Sequence, residues 1–258
     1  MKILRGPVQE IQQFNGLIDF ITFQLHQYLM SNQMNLLFTD EYKLFFYIRD
    51  NANMNIPYFF NLNFENERMG FIPVKRNIRI SSEALLDLYN LINVDDYKTV
   101  LQYINDHKSI NDRSMFNEKF KNPYSYNGNF TILSKLNIAR DNGFGNELDF
   151  LGKNMLKEMN KYIHASIFIQ PNNCDDRVKL EDVKNLMTIE LSICKKAIEC
   201  LCAKYNFDFR TIPWNYQIQL YPGCYTFECI YKDCVNKIDN MDLIDQPNPY
   251  YYTTQTVY

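Results

Sequence analysis

The sequence predicts an all-α protein: a multi-helix bundle with room for a small irregular or β-hairpin element near the C-terminus. Apolar residues recur at three- and four-residue steps through several long segments, which is the signature of helices with one buried face. Only 8 of the 258 residues are glycine, and long apolar side chains are abundant. This composition favours helices over a turn-rich all-β fold.

The segment from Glu147 to Phe168 is predicted to be the helix around which the bundle is organised. Its apolar residues share one face of a 3.6-residue period; they are Leu148, Leu151, Met155, Met159 and Tyr162. His164 follows at the C-terminal end, beside this apolar stripe, and small or apolar residues come after it. A histidine in this position is either packed in the core or held by a rigid helix for a function.

The N-terminal half predicts helices joined by one long connector. The predicted helices are Pro7–Met30, Glu41–Asp50, Lys75–Ile92 and a helix from Asp95 to His107. The expected buried stripe of the first helix is Val8, Ile11, Ile18, Ile21, Leu25 and Tyr28. That of the third is Ile78, Leu85, Leu88 and Ile92, with Arg76, Arg79, Glu83 and Asp87 on the opposite face. Asp40 is the expected cap of the second helix, and His26 is expected to face solvent from the first. Asparagines, Pro57, Gly70 and Pro73 break the pattern after Asp50, so residues 51–76 predict an ordered connector with room for one short helix.

The C-terminal half begins with a polar stretch at residues 105–129, which predicts a mobile loop or an internal boundary. Asn129 is the expected cap of a helix from Thr131 to Asn142, ended by Gly143. Val183–Tyr205 predicts a largely buried helix. These patterns predict a bundle domain at 1–206 and an extension at 207–258 that packs on it. The tail of the extension is either disordered or lies across the body through its tyrosines. Within the extension, residues 216–231 alternate around a Pro-Gly pair, which suits a β-hairpin or two short irregular segments equally.

Charge and cysteine usage limit the classes of function. The net charge is −3 and the isoelectric point is near 5.7, so the chain has no global basic field for holding nucleic acid. The seven cysteines include no Cys-x-x-Cys pair, and the N-terminus does not read as a secretory signal. No apolar stretch is long enough to span a membrane. We therefore expect reduced thiols, a cytoplasmic location and no membrane partner.

The first candidate site combines Arg79, Glu83 and His164. A histidine can exchange protons with the 2′-hydroxyl or the leaving oxygen of RNA, and an arginine can stabilise the charge of the phosphorane. Glu83, one turn from Arg79, is placed to orient either residue. The alternative interpretation is an Arg–Glu pair on a solvated face, with His164 satisfied inside the core.

The candidate substrate-binding residues are Lys157, Lys161 and, between them, Asn160. The two lysines lie with Lys153 on the polar face of the predicted 147–164 helix, where they could contact phosphates. A solvated lysine face is the alternative.

We predict no metal and no cofactor. Cys224, Cys229 and Cys234 are spaced five apart, whereas zinc knuckles use thiolates two to four residues apart. The chain also lacks a glycine-rich phosphate loop, a Gly-x-Ser-x-Gly elbow, a His-Glu-x-x-His motif and a dinucleotide fingerprint.

Residues 76–104 and 132–168 together resemble uncharacterised helical proteins of low-GC bacteria that are grouped with HEPN-like, abortive-infection-type proteins. The resemblance is carried by an Arg-x-x-x-Glu helix, Leu-Tyr-x-Leu and Asp-Tyr steps, an Ala-x-x-x-Gly break, and a helix that ends in His and a small residue. It implies an all-α bundle, often a homodimer, with RNA as a partner and, in active members, metal-independent endoribonuclease activity. Active members carry an arginine upstream of the histidine on the same helix, whereas this chain has Glu158, Met159 and Asn160 there.

Two functions follow as alternatives. One is a defence or toxin-type endoribonuclease that uses His164 and Arg79. The other is a non-catalytic helical module that binds a protein or a small ligand.

Overall fold

A computed structural model shows seven helices and two short strands in the part of the chain that it describes. The described residues are 2–6, 8–32, 39–60, 62, 64, 72–106, 131–145, 178–208 and 227–245. The predicted all-α bundle is confirmed. The predicted 147–164 helix and nearly all of the polar stretch at 105–129 lie outside the described residues. No described helix is both long enough and apolar enough to cross a membrane.

Helix α1 spans Val8–Ser31, close to its predicted bounds. Most of its predicted stripe is buried, including Ile11, Ile18, Ile21 and Leu25. Tyr28 belongs to the predicted stripe but is exposed. His26 was predicted to face solvent, and this is wrong: it is partly buried, and its ring centroid lies 6.5 Å from that of Tyr42.

Helix α2 spans Asp40–Phe60, ten residues beyond the predicted end at Asp50. The prediction of a connector from residue 51 is therefore wrong as far as residue 60. The buried residues explain why, because they keep the helical period past the asparagines and Pro57; they are Ile48, Asn51, Ala52, Asn55 and Phe59. At the start of α2, Thr39 rather than Asp40 acts as the cap, since its Oγ1 accepts a hydrogen bond from the Tyr42 N–H at 3.3 Å.

Helix α3, Ile72–Asn93, is the centre of the described bundle, because it packs against α2 and against the three helices described next. These are α4 (Tyr97–Asp106), α5 (Ile132–Asp141) and α6 (Leu180–Lys204). Ile78, Leu85 and Leu88 are buried as predicted. Arg79, which the pattern placed on the solvated face, is buried instead.

Helix α5 is closed at both ends by local chemistry. Thr131, not the predicted Asn129, is its N-terminal cap: the Thr131 side chain accepts from the Ser134 N–H, and Ser134 Oγ accepts from the Thr131 N–H. At the other end Gly143 has a φ of +88°, the left-handed conformation in which glycine is least strained. The predicted stop at Gly143 is confirmed.

Helices α6 and α7 (Phe227–Asp239) complete the described core. Every residue of the predicted stripe of α6 is buried; these are Val183, Leu186, Met187, Cys194, Ala197, Ile198, Leu201 and Cys202. Helix α7 packs on α6 and α1, and it includes residues 227–231, which were predicted to be strand or irregular. That part of the hairpin prediction is wrong, and residues 216–226 lie outside the described residues. The domain division at residue 206 stays a prediction.

The two ends of the described chain meet in a short antiparallel ladder. Strand β1 (Lys2–Arg5) pairs with β2 (Asp242–Asp245), with Lys2 opposite Asp245 and Arg5 opposite Asp242. Neither strand was predicted, since four residues are too few for a two-residue period to be recognised.

Candidate functional site

The sequence-predicted pair of Arg79 and Glu83 forms on α3, where the two residues are one turn apart. Arg79 Nη1 donates to Glu83 Oε2 at 2.9 Å. The Arg79 side chain is only 7% exposed, so the guanidinium lies inside the bundle and not on a solvated face. Glu83 is more open to solvent. The pairing was foreseen from the spacing, but its burial was not.

Lys135 of α5 extends this pair into a network that joins three helices. Its Nζ donates to Glu83 Oε1 at 2.8 Å and to Asp87 Oδ2 at 2.7 Å. The Tyr97 hydroxyl of α4 donates to Asp87 Oδ1 at 2.7 Å. We call these five residues, Arg79, Glu83, Asp87, Tyr97 and Lys135, the α3–α5 network. Through it, the helices that flank α3 are fixed by charge-assisted hydrogen bonds.

The pKa shifts in the network follow from burial and charge. At Glu83, burial raises the carboxyl pKa, but Lys135 and Arg79 together outweigh it and hold the pKa below its usual range. At Asp87, burial prevails over Lys135 and raises the pKa. Burial and the neighbouring Asp87 carboxylate raise the pKa of the Tyr97 hydroxyl, which is therefore a donor and not a base.

The charges within the α3–α5 network balance, because two cations meet two carboxylates. A phosphate approaching Arg79 would have to displace Glu83, which already accepts from both Arg79 and Lys135. The geometry therefore suits a structural clamp better than an anion site.

The other predicted site residues belong to the predicted 147–164 helix. His164, Lys157, Lys161 and Asn160 lie outside the described residues, so the structure brings together only Arg79 and Glu83 of the predicted set. Within the described residues, no group of three or more His, Cys, Asp or Glu side chains could hold a metal ion.

A second polar cluster, which the sequence reasoning missed, lies where α2, α3 and α6 meet. Glu190 of α6 is 5% exposed, and its Oε2 accepts from Asn55 Nδ2 at 2.7 Å. Asn55 Oδ1 in turn accepts from Asn77 Nδ2 at 2.8 Å. Glu190 Oε1 is buried and has no hydrogen-bond partner in the part of the chain that the structure describes.

A small cavity adjoins this carboxyl group. Its lining comes from three helices: Ile48, Ala52, Asn55, Ile78, Ser81, Glu190, Ile193 and Cys194. We call it the Glu190 cavity. Burial raises the pKa of Glu190 to about 8, although the hydrogen bond from Asn55 acts in the opposite direction. Burial and the neighbouring Glu190 also raise the pKa of the Cys194 thiol, so this cysteine is a poor nucleophile.

Both missed residues carry a signal in the sequence. Glu190 falls within the apolar stripe of α6, three residues after Met187 and four before Cys194. Lys135 falls within the stripe of α5, between Ile132 and Leu136. A charged residue at a core position of a periodic pattern must be paired or neutral, and it therefore marks an internal polar site.

The third feature is a line of exposed apolar side chains on α2. Tyr47, Met54 and Tyr58 are 49%, 59% and 46% exposed. They are spaced seven and four residues apart, about two turns and one turn of helix, so they lie along a single face. We call Tyr47, Met54 and Tyr58 the α2 face. Lys43 and Asp50, which are also exposed, border it.

Comparisons with known protein families, with curated proteins and with solved structures found no match to this chain. What the fold and the sites define is a class: an all-α bundle with a neutral internal ion network, a buried carboxyl group and an exposed apolar helix face.

Proposed function

We propose that this chain is a non-catalytic helical module that acts by binding a protein through the α2 face. The observation that carries the proposal is the alignment of Tyr47, Met54 and Tyr58, each about half exposed. Aromatic and methionine side chains are enriched at protein interfaces, whereas scattered exposed apolar residues carry no such meaning. The burial of Arg79 in the α3–α5 network supports the non-catalytic alternative.

The chemistry of the α2 face is self-complementary, which favours a second copy of the chain as the partner. Suppose that two α2 helices pack antiparallel about a two-fold axis between Asp50 and Asn51. Residues at equal distances on either side of the axis then face each other across the interface. Tyr47 therefore meets Met54 of the second copy, and Lys43 meets Tyr58 of the second copy. The first pair is a sulfur–aromatic contact and the second a cation–π contact. Such a two-fold interface is isologous, so each contact occurs twice.

The charges near the axis are compatible with this packing. The two copies of Asp50 would approach one another, but Arg49 Nη2 lies 2.9 Å from Asp50 Oδ1 and reduces their repulsion. Lys43 is 3.5 Å from Asp40 in an exposed ion pair, which holds it only weakly. The Lys43 ammonium group can therefore turn to the Tyr58 ring of the second copy.

The size of the face sets the expected affinity. Three half-exposed side chains on each copy offer on the order of 600 Å² of surface for burial. Stable interfaces bury roughly 1,200–2,000 Å², so the dimer is expected to be weak, with a dissociation constant of about 10 μM or more.

Sedimentation velocity over a range of protein concentrations tests this proposal. We expect the weight-average mass to rise towards that of a dimer at high micromolar concentration. Met54→Asp should abolish the rise, because it places a charge opposite Tyr47 of the second copy. Met30→Asp is the matched control: Met30 is also exposed but lies on α1, so this variant should associate like the wild type. A wild-type mass that stays monomeric at every concentration would refute the proposal.

The endoribonuclease remains as a second candidate, favoured by one specific observation. The Arg79–Glu83 pair, in which Glu83 would orient the guanidinium, does form at 2.9 Å. For catalysis, the Arg79 guanidinium would also have to reach a phosphate from its buried position.

An RNA-cleavage assay on His164→Ala and Arg79→Ala, with a melting curve for each, separates the two candidates. A nuclease should lose roughly a hundredfold or more in rate in either variant while His164→Ala stays folded. If the chain is a binding module, the wild type should not cleave RNA. Arg79→Ala should then lower the melting temperature, because Glu83 loses a buried partner. Cleavage that is lost in a stably folded His164→Ala protein would establish the nuclease.

A further inference from the structure

The Glu190 cavity has a property that protein binding by the α2 face does not use. Glu190 is almost fully buried, one of its oxygens accepts from Asn55, and the other has no hydrogen-bond partner among the described residues. That second oxygen belongs to a residue that lines the cavity. A buried polar atom without a partner is rare in folded proteins. Here it indicates that the oxygen binds a proton, a water molecule or an ion.

Among the lining residues that the structure describes, no cationic side chain balances a carboxylate. Helix α2 presents Ile48, Ala52 and Asn55, and α3 presents Ile78 and Ser81, none of which carries charge. On α6, Ile193 and Cys194 complete the lining, and Cys194 is the one other titratable group among these residues. Burial and Glu190 together raise the pKa of its thiol, so Cys194 is neutral as well.

The surroundings therefore select the uncharged form of Glu190. An ionised carboxylate in apolar surroundings loses its hydration and gains no ion pair, so it takes up a proton instead. The neutral acid fits the hydrogen bonds: Oε2 remains the acceptor for Asn55, and Oε1 becomes a hydroxyl that needs an acceptor. The cavity has about 10 Å³ of room for the centre of a water molecule, close to what one buried water requires.

We propose that the Glu190 cavity is a proton-binding site, in which Glu190 is the neutral acid at neutral pH and donates from Oε1 to one water molecule in the cavity. When the proton leaves, a carboxylate without a cation remains among α2, α3 and α6. The packing of these three helices is thereby linked to pH. The site lies in the core and not on the α2 face, so this proposal does not depend on the proposed function.

The direction of the pH dependence follows from proton binding in the two states. In the unfolded chain Glu190 has an ordinary carboxyl pKa near 4.5, whereas in the fold burial raises its pKa to about 8. Between these values the folded state holds the proton and the unfolded state does not. The contribution of Glu190 to stability is therefore greatest in acid and is lost as the pH rises towards about 8.

The test compares melting temperatures of the wild type, Glu190→Gln and Glu199→Gln between about pH 5.5 and pH 9. Glutamine copies the neutral acid, because its carbonyl accepts from Asn55 and its amide donates into the cavity. The advantage of Glu190→Gln over the wild type should grow by about 5 °C across this range. Glu199, on the same helix but at the surface, should give no such pH-dependent difference. A difference for Glu190→Gln that does not change with pH would overturn the proposal.

Infrared spectroscopy in heavy water gives a second readout that needs no stable variant. The wild type and Glu199→Gln should show the carbonyl band of a protonated carboxylic acid at about pH 6.5, and this band should disappear near pH 9.5. In Glu190→Gln the band should be absent at both pH values. A wild-type spectrum without this band at about pH 6.5 would show that Glu190 is ionised, and it would refute the proposal even if Glu190→Gln fails to fold.

Discussion

Among single residues, Lys135 is the one on which the α3–α5 network depends most. It is the shared partner of Glu83 and Asp87, at 2.8 and 2.7 Å, and its own side chain is largely buried. Without Lys135, Asp87 would be a buried carboxylate whose remaining described partner is the Tyr97 hydroxyl. Removing one partner of a buried charge cluster is costly, because the remaining charge has already lost its hydration.

We therefore predict that Lys135→Met lowers the free energy of unfolding by about 3 kcal/mol at neutral pH. Urea denaturation of the wild type and the variant measures this. Lys98→Met is the matched control, because Lys98 also bonds a carboxylate, Asp40 at 2.7 Å, but at the surface. The control should lose far less stability than Lys135→Met, because water and salt screen an exposed ion pair. Equal losses in the two variants would mean that the network is not a buried clamp.

At the scale of helices, the sequence predicts well where the apolar period is uninterrupted and poorly where polar residues enter the core. Every position of the predicted stripe of α6 is buried, because the buried positions of this helix are almost all apolar. The predicted α2 ended ten residues too early, because Asn51 and Asn55 resemble turn residues in the sequence although both are buried in the helix. The buried position of Arg79 was missed for the same reason, since a charged residue on a helix is normally assigned to its solvated face.

The start of α5 provides a test at this scale. We predict that Thr131→Ala destabilises the protein by about 1 kcal/mol, because the Ser134 N–H loses the acceptor that the threonine side chain supplies. Thr131→Ser keeps the hydroxyl and should stay within a few tenths of a kcal/mol of the wild type. Chemical denaturation of both variants measures the difference. If serine and alanine have the same effect, the capping box contributes nothing to stability.

For the molecule as a whole, the fold class was accessible from the sequence, whereas the arrangement of sites was not. Periodicity shows which face of a helix is buried, but not which helices become neighbours. The contact of Lys135 with Glu83, and that of Glu190 with Asn55, joins residues far apart in the sequence. Strand β1 and α7 were missed because their patterns are short or resemble another element.

The thiols give a prediction for the whole chain. The described cysteines are unbridged; they are Cys194, Cys200, Cys202, Cys229 and Cys234. We expect all seven cysteines to react with a thiol reagent under denaturing conditions without reductant, as a reducing compartment would require. A count of five would reveal a disulfide and contradict the expected cytoplasmic location.

The central claim, that two copies of the chain meet through an antiparallel pair of α2 helices, is tested most directly by a charge swap across the two-fold axis. Tyr47→Lys alone and Met54→Glu alone should each prevent association, because each places a charge opposite an apolar side chain of the second copy. The double variant should associate again, because each introduced lysine then faces an introduced glutamate. Sedimentation velocity on the three variants and the wild type is the measurement. Recovery of the dimer in the double variant alone is the predicted result, and a double variant that stays monomeric while the wild type dimerises would contradict this arrangement.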